Sequence, residues 1–448
     1  MAHTTCPGPP AGGFDPVDPD RLLGLDVLGL AATGQKIIDS GGRQVLWVQC
    51  RPVLEAGDER LFCACCGAMG RRKGTDARIL AHAPTCGRVT RLLVRVPELT
   101  CQHCRRVWRV DMTSAAEPRG LLTHGAVQWA LEAVAVDNMA ISRVAARLAV
   151  SWDTANDAVM VAGLEALGPL EERLKGVRVL GVDEHVWRHR GHQRYVTVLI
   201  DLTPVRQGTG PARLVDMIPG RSKTALVSWL ADRDPHWRGQ IEIVAMDGFT
   251  GFKSAAAEQL PTATTVMDPF HVVSLAGDAL DETRRRVQQA TTGRRGTTKD
   301  ALYTARRTLL TEIDLLTVRQ GQRLEELFAD ERNTPVEVAW DVYQTMIDAY
   351  RHKDRTQGKR LMNRLIDSIA SGVPAGIEEV TRLGRTLNRR KDDILAYFDH
   401  PGSSNGPTEA INGRLEHLRG IAQGFRNLTH YITRSLIHTG GLRHRLTT

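Results

Sequence analysis

No stretch of eighteen apolar residues occurs in this 448-residue chain, so nothing in it is built to cross a bilayer as a helix. An apolar leader is also missing. The opening MAHTTCPGPPAGGFDPVDPD is rich in Pro and Gly and reads as a flexible lead-in, not a signal peptide. Cysteines number eight, too few to staple a chain of this length, and this usage points to a reducing, cytoplasmic compartment. Acid is short as well: 51 Asp and Glu face 59 Lys and Arg, a net charge of +8. Much of the basic excess is clustered, at Arg284–Arg286, Arg294–Arg295, Arg351 to Arg360 and Arg414 to Arg445. Clustered cations suit a phosphate-backbone partner. Hydrophobic residues at 42% and charged residues at 25% are ordinary for a globular chain, with room for two to four domains.

Four of the cysteines fall in two C-x-x-C pairs. Residues 63–66 read CACC and residues 101–104 read CQHC, with 34 residues between. Two turns that each present two thiolates, Cys63 with Cys66 and Cys101 with Cys104, supply the four soft ligands of a structural Zn²⁺. The second knuckle lies between the alternating stretches LLVRV (92–96) and RRVWRV (105–110), and strand, knuckle and strand predict a zinc ribbon. Cys65, His82, Cys86 and His103 are rival ligands.

From 119 to 167 the pattern turns helical. Trp129, Leu131, Ala133, Val134 and Val136 mark a first buried helix. Ile141, Val144, Ala145 and Leu148 mark a second, and a third starts after Ser151, a suitable N-cap. Two short helices about a turn of three to four residues have helix-turn-helix dimensions. The second of the pair would offer Trp152, Thr154 and Asn156 to DNA, with Asp153 beside them.

Beyond 174 the texture becomes β-rich. Strands are predicted in 176–187, 193–204 and 212–221, then a helix at 222–234, a strand in 241–249, a short helix, and a strand in 262–273 leading into a helix. Three meandering strands followed by two crossovers give the strand order of a ribonuclease-H-like α/β fold. Residues 274–400 are helical in pattern and read as an all-α insertion ahead of a helix beginning near Pro407.

Asp183 ends the apolar run VLGVD, and Asp247 ends IEIVAMD in the same way. Both carboxylates are thereby brought to one edge of the sheet, where open α/β folds place their sites. Hard oxygen ligands on adjacent strands suit Mg²⁺ or Mn²⁺. A pair of such ions can activate a water or a 3′-hydroxyl and stabilise a leaving oxygen. Glu409, in the first turn of the helix near Pro407, is the candidate third carboxylate, although the helix dipole alone would also favour an acid there. It shares a face with Asn412, while Ile411, Leu415 and Leu418 form an apolar face. The tail from Ser404 onward holds six arginines against two acids. Of these, Arg414, Arg419, Arg426 and Arg434 are expected to meet DNA.

The blocks GVDE, AMDGF, DPFHVV followed by A-L-D-x-x-R-R, SNGPTEAINGR and GFRNLTHYITR resemble the ISL-three family of insertion-sequence transposases, bacterial enzymes of the DDE type. The resemblance runs from the cysteine knuckles to the C-terminus. It implies a metal-binding triad of Asp183, Asp247 and Glu409, and it places Phe425, Arg426 and Tyr431 near the site or the DNA. Asp268 in the DPF block also follows a strand and rivals Asp247, which is preferred because its strand should lie beside that of Asp183. Glu184 should point to the opposite face. The implied organisation is an N-terminal segment with a flexible start (1–55), a zinc ribbon (56–115) and a helix-turn-helix domain (119–170). A catalytic core (172–280) follows, then a helical insertion (281–400) and the rest of the core (401–448). The implied activity is metal-dependent cleavage of DNA at terminal inverted repeats and strand transfer to target DNA. Paired cleavage at two ends implies a homodimer or larger assembly, nucleoid-associated in the bacterial cytoplasm and free of membrane. Two other readings remain: an inactive zinc-ribbon/helix-turn-helix regulator, whose DNA affinity would not need the acids, and a nuclease on the same fold.

Overall fold

The computed structural model describes residues 16–190, 193–294, 296–373 and 376–447. The lead-in up to residue 15 and Arg295 lie outside the described residues. No described helix is long and apolar enough to cross a membrane. The chain divides into two compact units, one of residues 1–167 with 442–448, the other of residues 168–441.

The first unit is built on strands β1 (Leu30–Ser40), β2 (Arg43–Pro52), β3 (Arg71–Thr85), β4 (Arg88–Thr100) and β5 (Val107–Arg109). Their order is β1-β2-β4-β3, with β5 paired to β4. Alternation fixes which side of β4 is buried: Leu92, Val94 and Val96 point into a core shared with Leu46, Val48, Cys50 and Leu80. The sheet is larger than the ribbon expected from residue 56. Strand β2 pairs in parallel with β4, Val45 opposite Val89 through Cys50 opposite Val94, so residues 30–52 belong to the same sheet. Parallel pairing between segments some forty residues apart leaves no local signature, hence the different boundary.

Helices α1 (His124–Ala135), α2 (Ile141–Leu148) and α3 (Trp152–Leu167) follow. Thr123 caps α1, its Oγ1 accepting from the Ala126 N–H at 3.1 Å. In α2 the residues at i, i+3, i+4 and i+7, namely Ile141, Val144, Ala145 and Leu148, are buried. Ala149 then takes a left-handed conformation, φ 49°, which ends the helix. Ser151 restarts it by accepting the Thr154 N–H at 3.1 Å. The helix–turn–helix dimensions expected over 141–167 are present.

The second unit holds β6 (Val179–Val186), β7 (Tyr195–Asp201), β8 (Arg213–Pro219), β9 (Ile243–Met246) and β10 (Thr264–Met267), in the order β10-β9-β6-β7-β8. The β6–β7 and β7–β8 pairs are antiparallel; β6–β9 and β9–β10 are parallel. A meander followed by two crossovers is thus realised. Helices α4 (Lys223–Ala231) and α5 (Thr250–Gln259) bury Leu226, Trp229, Leu230 and Phe252 with Leu180, Val182 and Val244 of the sheet. After β10 come α6 (Pro269–Thr292), α7 (Thr334–Arg351), α8 (Arg355–Ser371), α9 (Glu378–Arg389) and α10 (Lys391–Asp399). They enclose a separate core that includes Leu280, Met346, Ile366 and Leu387. The chain then returns to the sheet as α11 (Gly406–Ile421), packed on β6, and α12 (Leu428–Thr439), packed on β8.

Candidate active site and cysteine centre

Register decides which side chains meet at the sheet edge. Val182 of β6 lies opposite Met246 of β9, and Met246 lies opposite Met267 of β10. The residue that follows each of these three in the chain is an acid: Asp183 within β6, and Asp247 and Asp268 just past the ends of β9 and β10. Adjacent strands run roughly 4.8 Å apart, so three carboxylates line up along the C-terminal edge of the parallel half of the sheet.

Their surroundings differ. Asp183 is buried; its Oδ1 accepts the Glu184 N–H at 2.8 Å and its Oδ2 accepts Asn412 Nδ2 at 2.9 Å. Burial, reinforced by the neighbouring Asp247 carboxylate, pushes the Asp183 carboxyl up to about 6. Asp247 is half-buried and tightens its own turn, Oδ1 accepting the Phe249 N–H at 2.9 Å. Asp268 is buried at the head of α6, and burial raises its carboxyl too. Its Oδ1 accepts the backbone N–H of Asn405 at 2.7 Å, which ties the start of α11 to the end of β10.

Helix α11 spans the site. Asn405, Pro407 and the first-turn Glu409 open it, and Asn412 at i+3 from Glu409 reaches Asp183. The exposed Glu409 stands with Asp268 and His271, ligand atoms of the three lying within 4.8 Å of one another. Family resemblance groups Glu409 with Asp183 and Asp247; the structure sets it beside the rival acid Asp268 and His271. Glu184 pairs with Arg221 at 3.0 Å.

Among the described residues, buried polar atoms at this edge without a protein partner include Asp268 Oδ2, Asn405 Nδ2 and Asn412 Oδ1. Native proteins rarely bury such atoms unpaired, and each one costs about 1–3 kcal/mol. Hard oxygen donors from carboxylate and amide, with an imidazole nearby, suit a hydrated divalent cation, so the residues present fit one.

Behind the strand end His185 joins Phe425 and Tyr431 in one group of rings. His185 shares the face of Asp183, two residues on, and its Nε2 lies 2.6 Å from the Tyr431 hydroxyl. The two rings stack, and Phe425 meets Tyr431 edge-on. Burial lowers His185 to about 4, which keeps it neutral. Arg419 locks the same corner, donating to the Val186 carbonyl and to Glu416, each at 2.6 Å. His271 and His185 each follow a strand-end acid at short spacing, and that is the signal by which they could have been found.

The arginine and helix-turn-helix expectations divide. Arg414 and Arg426 are exposed. Arg419 is engaged as described, and Arg434 is 3% exposed beside His438, where burial lowers it to about 10. On α3, Trp152 is 48% exposed and Thr154 bonds Ser151, but Asn156 is buried and turned inward. Asn156 and Arg434 as placed cannot meet DNA. Helical phase is the reason for Asn156: it belongs to the buried stripe of Ala155, Val159 and Met160.

In the first unit the four chosen cysteines come together. Ligand atoms of Cys63, Cys66, Cys101 and Cys104 lie within 4.8 Å of one another, with Cys63–Cys104 and Cys66–Cys101 sulfur distances of 3.4 Å. Two of the thiols are lowered by knuckle backbone, Cys101 to about 6 by the Cys104 N–H and Cys63 by the Cys65 and Cys66 N–H groups, while the sulfur–sulfur contacts raise Cys66 and push Cys104 up to about 12. Cys65, Cys86 and His103 are exposed outside the cluster, and His82 is buried between Leu23 and Thr123. The set is compatible with a tetrahedral zinc.

Residues 180–435, from the strand of Asp183 to the helix of Tyr431, match the family profile of ISL3-type DDE transposases, described simply as "Transposase". Among curated proteins the chain is similar to the transposase for insertion sequence element IS1557 of Mycobacterium tuberculosis. In strains CDC 1551 / Oshkosh and ATCC 25618 / H37Rv alike, identity is 27% over 293 residues, covering 61% of this chain and 62% of the relative. The profile takes in more than half of the chain, including every acid of the sheet edge. On that match the chain belongs to the ISL3 family of transposases.

Proposed function

We propose that this transposase binds the terminal inverted repeats of an insertion sequence, cleaves DNA there in a metal-dependent reaction and joins the ends to target DNA. The observation that carries the reading is the strand-end row of Asp183, Asp247 and Asp268, with α11 bringing Glu409 to it. Strand order and pairing support a ribonuclease-H-like core, with the α6–α10 region as its insertion.

Asp183, Asp247 and Glu409 would hold Mg²⁺ or Mn²⁺. Bound there, the metal supplies an activated water or 3′-hydroxyl and a stabilised leaving oxygen for in-line phosphoryl transfer. The chain's own groups do the positioning. Asn412 fixes one oxygen of Asp183 and the Glu184 N–H the other, so the carboxylate presents a set orientation. The Asn405–Asp268 bond sets where α11 begins, and with it the height of Glu409 above the sheet. Trp152, Thr154, Arg414 and Arg426 would meet the DNA, and the four cysteines would hold a structural Zn²⁺.

The test is cleavage of a labelled duplex carrying the element's end, with Mg²⁺ or Mn²⁺. Glu409→Gln should bind as the parent does and lose about 10²–10³-fold or more in rate, the scale of removing one transition-state contact. Equal cleavage by both would reduce Glu409 to a helix-start residue. A second ligand set is favoured by the grouping of Glu409 with Asp268 and His271. If Asp268→Asn abolishes cleavage while Asp247→Asn does not, that set is the working one.

A further inference from the structure

We propose that a cleft in the first unit, framed by the β1–β2 turn, the β3–β4 turn and helix α2, binds the sugar–phosphate backbone of duplex DNA. The inference rests on the transposase reading and names a contact surface that the helix-turn-helix pattern did not supply. The cleft has a volume of about 620 Å³ and is lined by Arg43, Arg88, Arg143 and Arg147, with Gln44 and Met139 among its other walls. Three separate chain segments therefore bring guanidinium groups to one concavity. No carboxylate lines it, and among the described residues none of the four arginines pairs with an acid. Arg88 Nε is held by Gln44 Oε1 at 2.8 Å, which orients the guanidinium without cancelling its charge.

Gathering like charges in a cleft with low-dielectric walls focuses the field and costs free energy, which a polyanion relieves. Guanidinium groups suit phosphate because their planar forks bond it bidentately. Arg143 and Arg147, four residues apart, share the exposed face of α2, opposite its buried Ile141, Val144, Ala145 and Leu148. An Arg91 side-chain bond to the Ala149 carbonyl ties β4 to the turn after α2, so sheet and helix form one wall. Helix α3 by contrast exposes Asp153 and Asp157 beside Trp152. In helix-turn-helix pairs the first helix crosses the backbone while the second enters the groove. The arginines thus sit on the helix that would meet phosphates, and the two strand turns extend that contact along the duplex.

The measurement is the salt dependence of full-length protein binding to two labelled duplexes, the element's end and an unrelated sequence, between about 50 and 200 mM salt. The variants are Arg43→Gln with Arg88→Gln, and Arg143→Gln with Arg147→Gln; Lys replacements at the same sites serve as rescue, and melting curves check folding. Each neutralised phosphate contact removes about 0.9 from the slope of log K against log salt, so each Gln pair should flatten it by up to about 1.8. The loss should be similar on both duplexes and largely restored by Lys. Unchanged slopes would overturn the cleft while leaving the transposase reading intact, and would turn attention to an acidic protein partner. A loss confined to the end duplex would also overturn it, because that is base readout. A parent protein that binds neither duplex would sink the functional reading itself, and this inference with it.

Discussion

The two candidate metal centres are built on opposite plans. The cysteine cluster draws its ligands as two pairs from two tight knuckles, and all four sulfurs face one point. At the sheet edge the acids come from three strands and a helix far apart in sequence, some buried and one exposed, with buried polar atoms left unpartnered. A closed, soft tetrahedral set can only hold an ion. An open, hard-oxygen edge leaves room for water and phosphate. Stability should therefore depend on the first centre, and chemistry on the second.

The widest separation of the two should come from metal removal and ligand loss. Cys101→Ser, or a strong chelator, should unfold the knuckle region and markedly lower the melting temperature, because folding around structural zinc carries the binding free energy. Asp247→Asn, at a half-buried turn, should leave the melting temperature nearly unchanged while cleavage falls. Elemental analysis should give about one zinc per chain for Asp247→Asn and much less for Cys101→Ser. Equal thermal shifts for the two variants would erase the distinction.

Asp183 allows the comparison to be sharpened by pH in metal-free protein. Its folded pKa of about 6 lies above the ordinary carboxylate value, so the fold holds the proton longer than the unfolded chain does. The contribution of this group is fully present below about pH 4 and is lost as pH rises through about 6. Asp183→Asn should abolish cleavage yet raise stability at pH 8 by about 3 kcal/mol, with the gain vanishing near pH 4. Denaturant titrations at both pH values check it. A variant destabilised at pH 8 would mean that the Asn412 and Glu184 bonds outweigh the cost of the buried charge.

Much of this arrangement was legible because local patterns carry it. Alternation located β4 and an apolar run located β6, Ser151 served as the N-cap read for α3, and the paired knuckles identified their four cysteines. What escaped depends on contacts between distant segments. The pairing of β2 with β4 enlarged the N-terminal sheet, and Asn405, 137 residues from Asp268, put Glu409 beside that acid. Helical phase turned Asn156 inward, where its place on the second helix of the pair suggests a DNA contact. Arg434 was assigned to DNA by charge, yet it is buried beside His438; a basic tail does not reveal which of its arginines pack.

The smallest effect tests how closely the catalytic helix must approach the sheet. Gly181 lies two residues before Asp183, where α11 packs on β6. A Cβ there would stand 3.0 Å from Leu202 Cδ1 and 3.1 Å from Thr408 Oγ1, the residue next to Glu409. Leu202 and Thr408 are buried, and the Thr408 hydroxyl is committed to Asn405, so relief must come partly from a shift of α11. Overpacking of this kind costs about 1–3 kcal/mol. Gly181→Ala should therefore lower stability by about that amount and slow cleavage several-fold, because Glu409 and Asn412 ride on the displaced helix. If the rate is unchanged while the melting temperature falls, the Leu202 side has yielded instead, and the height of α11 is not what sets the geometry of the acids.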